Sequence, residues 1–327
     1  MIRENIFKLL YAFGVPSILR LGKSNQLTIL SLHRVSTERD FFFDPIDPIA
    51  FRKLLKYVQK HYQVISFQEF DALSKVKIKK PLLMLSFDDG YYDFYEYALP
   101  ILSEFNFPSN HNIVNECASN NAVIWTQRLN YVFNHAKNNS VNLTLEIEGV
   151  VHKFSDYNNN WHTFYLMVFR FLLTVKKEKR IAFIEELENR ISTKASYRMM
   201  NWKEIIDCSN NNVEIGSHTY SHDVISTIDD TEFLKKEILL SRSEIAEKID
   251  KPVDILALPN GQGSIDVENF VRDGGFKYLL YANDTTNPIR SDQKMNSFIT
   301  LNRINLLHEN YAEIILRSEL FHHKIRK

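Results

Sequence analysis

The chain has 327 residues and a mass of 38.5 kDa, enough for one large domain or two ordinary ones, and its 44% apolar and 24% charged content excludes disordered, collagenous and multi-span membrane classes. Lys plus Arg (40) equals Asp plus Glu (40), so no net positive field exists to hold a nucleic-acid backbone, and nucleic acid is not an expected partner. Only Cys117 and Cys208 occur, which excludes a disulfide framework and leaves two reduced thiols, the preferred reading, or a single bridge.

Residues 1–24 come first in chain order. Ile2, Ile6, Leu9, Leu10 and Phe13 recur at helical spacing, with Arg3, Glu4 and Lys8 elsewhere on the wheel. This predicts an amphipathic helix ending near Gly14 and Pro16. Charges interrupt it too often for a spanning helix, which needs about 20 apolar residues. It also lacks the unbroken apolar centre and small-residue cleavage site of a signal peptide. Two readings stay open: the stripe packs on the protein's own body, or, with Arg3, Lys8, Arg20 and Lys23, it makes a peripheral contact with a membrane surface. A cytoplasmic chain, or one peripheral to the cytoplasmic membrane, fits these features better than a secreted one.

Residues 25–327 read as one domain with an α/β rhythm. Strands are predicted at Leu27–Leu32, Leu82–Phe87, Val213–Ile215, Val253–Leu258 and Tyr278–Tyr281. Helices are predicted at Ile49–Lys60, Asp93–Phe105, Trp202–Ser209, Thr231–Ile249 and Ile265–Arg272. Such alternation makes a parallel sheet or barrel. At about 115–200 the rhythm breaks into an Asn-rich, aromatic-rich insertion. It carries a strand pair over Leu143–Val151, helices around Trp161–Val175 and Glu178–Asn189, and loop tips at Asn138-Asn139-Ser140 and Asn158-Asn159-Asn160.

Three strand ends carry polar chemistry. Leu85-Ser86-Phe87-Asp88-Asp89-Gly90 ends an apolar strand in two carboxylates. Adjacent strand residues face opposite ways unless the turn at Gly90 swings both into one cleft. Glu214-Ile215-Gly216-Ser217-His218-Thr219-Tyr220-Ser221-His222 follows a short strand with two histidines four apart, a spacing at which one helical turn puts both imidazoles on one side, as two ligands to a Zn²⁺-like ion. A third ligand is needed, and Asp89 sits at the end of another strand in the series. Ile255-Leu256-Ala257-Leu258-Pro259-Asn260-Gly261 ends in a turn whose amides can wall a substrate. Gly261-Gln262-Gly263 lacks the third glycine of a dinucleotide fingerprint, and no phosphate-binding Gly-x-x-x-x-Gly-Lys-Ser/Thr loop occurs.

Ser86-Phe87-Asp88-Asp89-Gly90 and His218-Thr219-Tyr220-Ser221-His222 resemble, in order, the Thr/Ser-Phe-Asp-Asp-Gly and His-Ser/Thr-x-x-His motifs of the polysaccharide deacetylases. This family is also called the chitooligosaccharide deacetylase homology domain or carbohydrate esterase family 4. The resemblance spans roughly Leu27 to Leu316. It implies a distorted (β/α) barrel, and a hydrolase that removes N-acetyl groups from amino sugars of a polysaccharide, oligosaccharide or lipid-linked glycan. It further implies that Asp88 is the general base, and that Asp89, His218 and His222 hold a divalent metal ion, Zn²⁺ foremost. The backbone amide of Asn260, at the aromatic position of the family's Arg-x-Pro-Tyr motif, would hold the oxyanion.

Two positions depart from the family pattern. Ala257 stands where most members carry the arginine that orients the base, and Arg303 is the candidate stand-in. For the acid that protonates the leaving amine, Leu306-Leu307-His308 resembles the family's late Leu-x-His motif, while His33 resembles the first-strand histidine of the biofilm poly-N-acetylglucosamine deacetylases and is preferred. A sugar partner wants aromatic faces. Tyr91, Tyr92, Phe94 and Tyr95 directly follow the Asp pair, Tyr91 being the candidate substrate contact, and the insertion offers Trp125, Trp161 and Tyr165 as a lid or acceptor surface. The rival readings are a deformylase of the same fold and a glycan-binding module that keeps the metal site without turnover, the latter motivated by Ala257.

Overall fold

The structure is a computed structural model that describes residues 2–73, 78–261, 263–289, 298–307 and 310–322. Its centre is a distorted barrel of parallel strands: β1 (Gln26–Leu32), β2 (Leu82–Phe87), β3 (Ser109–Ile113), β4 (Val213–Ser217), β5 (Ile255–Ala257), β6 (Tyr278–Tyr281), β7 (Ile299–Asn302) and β8 (Ile304–Asn305), hydrogen-bonded in that order from β1 to β7, with β8 paired to β1. Pairing is long between β1 and β2, from Leu27↔Leu82 to Leu32↔Phe87. It shrinks to Ser86↔Asn110 and Phe87↔His111 between β2 and β3, and to Ser217↔Leu256 between β4 and β5. The barrel therefore splays where pairing is short. Closure comes from one chain run: β7 pairs with β6, Arg303 follows, and β8 pairs with β1. Arg303 N–H donates to the Tyr281 carbonyl and Leu306 N–H to that of Ser31, both at 2.9 Å.

Strand periodicity explains the interior. Leu27 and Ile29 of β1, Leu82 and Met84 of β2, Ile255 and Ala257 of β5, and Tyr278 and Leu280 of β6 form the inner core, which Phe67 and Phe70 join. Their alternates Leu30, Leu32, Leu83, Leu85 and Phe87 face the surrounding helices. Because side chains alternate with period 2, the inward series continues from Leu27 and Ile29 to Ser31 and His33, and from Leu82 and Met84 to Ser86 and Asp88. The interior is thus apolar near the strand N-termini and polar near the C-termini.

The outer helices are locally encoded. In Pro48–His61, the Asp47 side chain accepts from Ile49 N and Ala50 N at 2.8 and 3.2 Å, and proline sits in the first turn. Phe51, Leu54, Leu55 and Val58 then repeat at i, i+3, i+4 and i+7 and are buried. Each such burial contributes roughly 1.5–3 kcal/mol.

Residues 115–200 build a second layer with its own core. Helices Trp125–Asn138, Trp161–Leu172 and Lys177–Arg190 and the hairpin Thr144–Ile147/Val150–Lys153 bury Leu129, Phe133, Phe164, Val168 and Ile184 together. Asn158 and Asn159 take positive φ at a turn, as the Asn-rich loop tip predicts. Both cysteines are free and buried.

The N-terminal helix exists, as Ile2–Ala12, and Gly14 at φ +75 turns the chain into a second helix, Val15–Arg20. Phe7 packs on Ala312 and Leu316 of the helix Tyr311–Ser318, with Leu10 and Tyr11 beside it. Ile6, Leu9, Phe13, Ile18 and Leu21 stay exposed, Phe13 and Leu21 by 79% and 80%. The basic half of the expected pattern is partly overturned. Lys23 is buried, donating to the Ser318 carbonyl at 2.7 Å and lying 3.1 Å from Glu319, and Arg20 donates to Tyr57 Oη at 2.5 Å. A buried carboxylate draws these cations inward. Among the described residues no helix is long and apolar enough to cross a membrane.

Candidate active site

The exit of β2 resolves the geometry of the two adjacent carboxylates. Asp89 at φ +77 and Gly90 at φ +86 are both left-handed, and this turn brings both carboxylates to the barrel mouth. The exit of β4 differs from the helical turn expected of the histidine motif. Residues 218–224 form an irregular loop in which Thr219 (φ +67) and His222 (φ +58) are left-handed, yet the two imidazole centroids still come within 4.9 Å.

Asp89 Oδ1 lies 3.3 Å from His218 Nε2 and 3.4 Å from His222 Nε2, and one ligand atom from each of the three residues falls within 4.8 Å of the others. His218 Nδ1 is 2.9 Å from the Ala257 carbonyl. A carbonyl only accepts, so Nδ1 carries the proton and the Nε2 lone pair faces Asp89. Burial pushes His222 down to about 4, against the pull of Asp89, which keeps its imidazole in the neutral form that binds metals. Burial pushes the Asp89 carboxyl up, but the imidazoles of His218, His222 and His33 gathered round it outweigh that and hold it low. Asp89 Oδ1 is buried with no hydrogen-bond partner among the described residues. An unpartnered carboxylate oxygen facing two imidazole nitrogens is a donor set that fits a Zn²⁺-like ion, with room for further ligands on the cavity side.

Asp88 is held differently. Its Oδ1 accepts from Arg303 Nη1 at 2.7 Å and from Asn112 Nδ2 at 2.8 Å, while Oδ2 lies 3.9 Å from His33 Nε2. Burial pushes its carboxyl up, but the Arg303 guanidinium, aided by His218 and His33, holds it well below the usual carboxylate range. Arg303 is itself buried and also donates to Ser86 Oγ at 3.2 Å. The guanidinium beside Asp88 thus comes from Arg303, between the two short strands that close the barrel.

Asn112 escapes a sequence reading because Ser109-Asn110-His111-Asn112 looks like a loop, whereas all of β3 is buried. Neighbours meet some of its polar groups: Ser86 Oγ donates to Asn110 Oδ1 at 2.8 Å, and Gly90 N–H, just past β2, to His111 Nε2 at 3.2 Å, whereas Ser109 Oγ, His111 Nδ1 and Asn112 Oδ1 have no partner among the described residues. Gly216 leaves room for this layer, since a Cβ there would stand 2.2 Å from Asn112 Oδ1.

Asp88, Asp89, His218, His222 and Arg303 line one cavity of about 230 Å³, together with His33, Phe43, Tyr165, Phe169, Asn260 and Asn305. Asn260 takes φ +56 after Pro259, and its Nδ2 is buried without a partner among the described residues. Tyr91 lies elsewhere: its hydroxyl donates to Gln127 Oε1 at 3.1 Å and its ring sits 5.2 Å from the Arg34 guanidinium, so it does not line the cavity. Phe94 packs on Phe87 and His111, and Tyr95 donates to Asp207. Trp161 stacks on Phe154 at 4.0 Å. The rings at the cavity are Phe43, Tyr165 and Phe169, of which only Tyr165 stood out in the sequence. His308 lies outside the described residues.

A family model described as "Polysaccharide deacetylase" matches residues 169–279, a stretch holding His218, His222, Ala257 and Asn260 but neither aspartate. No curated protein matches the chain. Solved structures similar to it include the Streptococcus pyogenes deacetylase PplD in complex with acetate, 15% identical, with a TM-score of 0.58 over 90% of this chain and 98% of that one. IcaB from Ammonifex degensii is 14% identical, with a TM-score of 0.57 over 90% and 97%. A polysaccharide deacetylase from Bacillus cereus is 12% identical, with a TM-score of 0.57 over 90% and 69%. At these identities the likeness is one of fold. Residues 169–279 thus match the polysaccharide deacetylase family model, and the chain has the barrel fold of these solved structures.

Proposed function

We propose that the protein is a metal-dependent hydrolase that removes the N-acetyl group from an amino sugar of a polysaccharide, oligosaccharide or lipid-linked glycan. The observation that carries this reading is an ionised Asp88, clamped by Arg303 and Asn112, beside the Asp89, His218 and His222 triad at the mouth of one cavity. A divalent ion held by that triad supplies Lewis acidity and lowers the pKa of water at the site.

The protein's own groups divide the remaining work. Asp88 Oδ1 is saturated by two donors, so Oδ2 is the oxygen that takes the proton of an attacking water. A carboxylate held so low is a weak base towards ordinary water and needs an acidified one. Asn260, at the cavity wall with a buried and unspent Nδ2, offers this group and its backbone amide to the carbonyl oxygen as charge develops. His33, in the cavity lining and edge-on to Phe43 at 5.2 Å, is placed to protonate the departing amine. Arg303 removes the motive for a turnover-less binding module, since the base keeps its guanidinium. The test is an assay of acetate and formate released from N-acetylated and N-formylated amino-sugar oligomers in the presence of Zn²⁺. Acetate is expected. Formate alone would establish the deformylase reading, and binding with neither product would establish the glycan-binding one.

A peripheral membrane contact through residues 1–24 is part of the same proposal. It is supported by the exposed Ile6, Leu9, Phe13, Ile18 and Leu21 on consecutive short helices. With Lys23 and Arg20 turned inward, the attraction is mainly apolar and therefore only weakly sensitive to salt. Co-sedimentation with phosphatidylcholine vesicles should fall in a Phe13→Glu, Leu21→Glu variant. Equal sedimentation of the two proteins would rule the contact out.

A further inference from the structure

Four consecutive residues of the loop carrying the second histidine are anchored by residues 125–191. Lys177 Nζ donates to Ser221 Oγ at 2.7 Å. Trp125 Nε1 donates to the His222 carbonyl at 3.1 Å. Arg180 pairs with Asp223 Oδ1 in a contact almost wholly out of solvent. The Val224 side chain sits in that layer's own core, among Phe164, Leu172 and Ile184.

Arg180 is built as a strut. Its Nε and Nη2 donate to the carbonyls of Leu172 and Val175 at 2.8 and 2.6 Å, at the C-terminal end of the helix Trp161–Leu172, where a cation is favoured. Its guanidinium stands 5.0 Å from the centre of the Trp125 ring. The planar fork is thus fixed on one side by the second layer and reaches across to Asp223 on the other. On the barrel side, Glu237 accepts from Ser221 N and Ser221 Oγ at 2.9 and 2.6 Å.

The loop needs such bracing because His222 is left-handed, at φ +58. A non-glycine residue keeps that conformation only when its surroundings over-determine it. Relaxing His222 to an ordinary φ would swing its imidazole away from Asp89.

We propose that Arg180, together with Trp125, is a positioning residue for His222. The second layer holds the left-handed turn that keeps His222 Nε2 against Asp89, so the metal site is completed from outside the barrel. This inference rests on the reading of Asp89, His218 and His222 as a divalent-ion site.

The test is a titration of the metal-free full-length protein with Zn²⁺ against a chromophoric chelator. Wild type is compared with Trp125→Phe, Arg180→Lys and the charge-neutral pair Arg180→Met, Asp223→Asn, and the Co²⁺ absorption spectrum and metal-free melting temperature are read alongside. Trp125→Phe keeps a ring but removes the donor to His222. It and the charge-neutral pair should bind Zn²⁺ about 10–100-fold more weakly, the range seen for residues that orient ligands. Arg180→Lys should fall between them and wild type, the metal-free melting temperature of Trp125→Phe should stay near wild type, and the Co²⁺ bands should shift. Variants that bind Zn²⁺ as tightly as wild type, or that lose affinity only in step with melting temperature, would overturn the proposal in favour of simple glue between layers. A wild-type protein that binds no Zn²⁺ would remove the metal reading and the strut's role with it.

Discussion

Asp88→Asn is expected to lower turnover by roughly 10²-fold or more, the loss typical of a missing general base, while the protein keeps its metal. Asparagine retains the shape and can still accept from Arg303 and Asn112 through one oxygen, but it cannot take a proton. The variant also leaves the Arg303 guanidinium buried without a counter-charge, and breaking a buried ion pair costs about 3–5 kcal/mol. Turnover must therefore be measured on protein shown to be folded by its circular dichroism melt. His33→Ala should lose less turnover and little stability, because His33 is half-buried and 3.9 Å from its nearest charge. Metal content separates the roles: equal metal loss in Asp88→Asn and Asp89→Asn would show that base and ligand are wrongly assigned.

The second large effect is expected of the pair His218→Ala, His222→Ala, which should abolish both bound metal and turnover. These side chains crown the barrel and do not join its apolar clusters, so the metal-free fold should survive. Heat supplies an independent readout. An ion at 100 times its dissociation constant stabilises the native state by about 2.7 kcal/mol. Chelator should therefore lower the melting temperature of wild type and leave that of the double variant unmoved. Stoichiometric metal retained by the double variant would sink the assignment of the triad.

The strands β1, β2, β4, β5 and β6 were legible in the sequence because each is an apolar run between turn residues, a pattern set by burial on both faces. The aspartate and histidine motifs were legible because they are contiguous and sit at strand ends. β3 was not legible, because its Ser109, Asn110, His111 and Asn112 are polar and yet buried, and the partners that Asn110 and Asn112 do find, Ser86, Asp88 and the Glu214 carbonyl, lie on other segments of the chain. Nor was β7–β8, a short run whose pairing with β6 and β1 exists only once the barrel closes. Arg303 could be named from its chemistry, but its reach to Asp88 follows from standing at that seam. Local spacing suggested a helical turn for His218 and His222, and the strut from Arg180 and the donor of Trp125 hold another shape. It likewise favoured Tyr91 at the substrate, whereas Arg34 and Gln127 hold Tyr91 inside and Phe43 and Phe169 reach the cavity from other elements. The apolar faces of the barrel strands, and the aspartates and histidines that gather at its mouth, could be read from the chain alone because they are written in neighbouring residues. The orientation of those groups is set by the folded barrel, because a buried polar side chain takes its conformation from partners that the chain brings near only on folding.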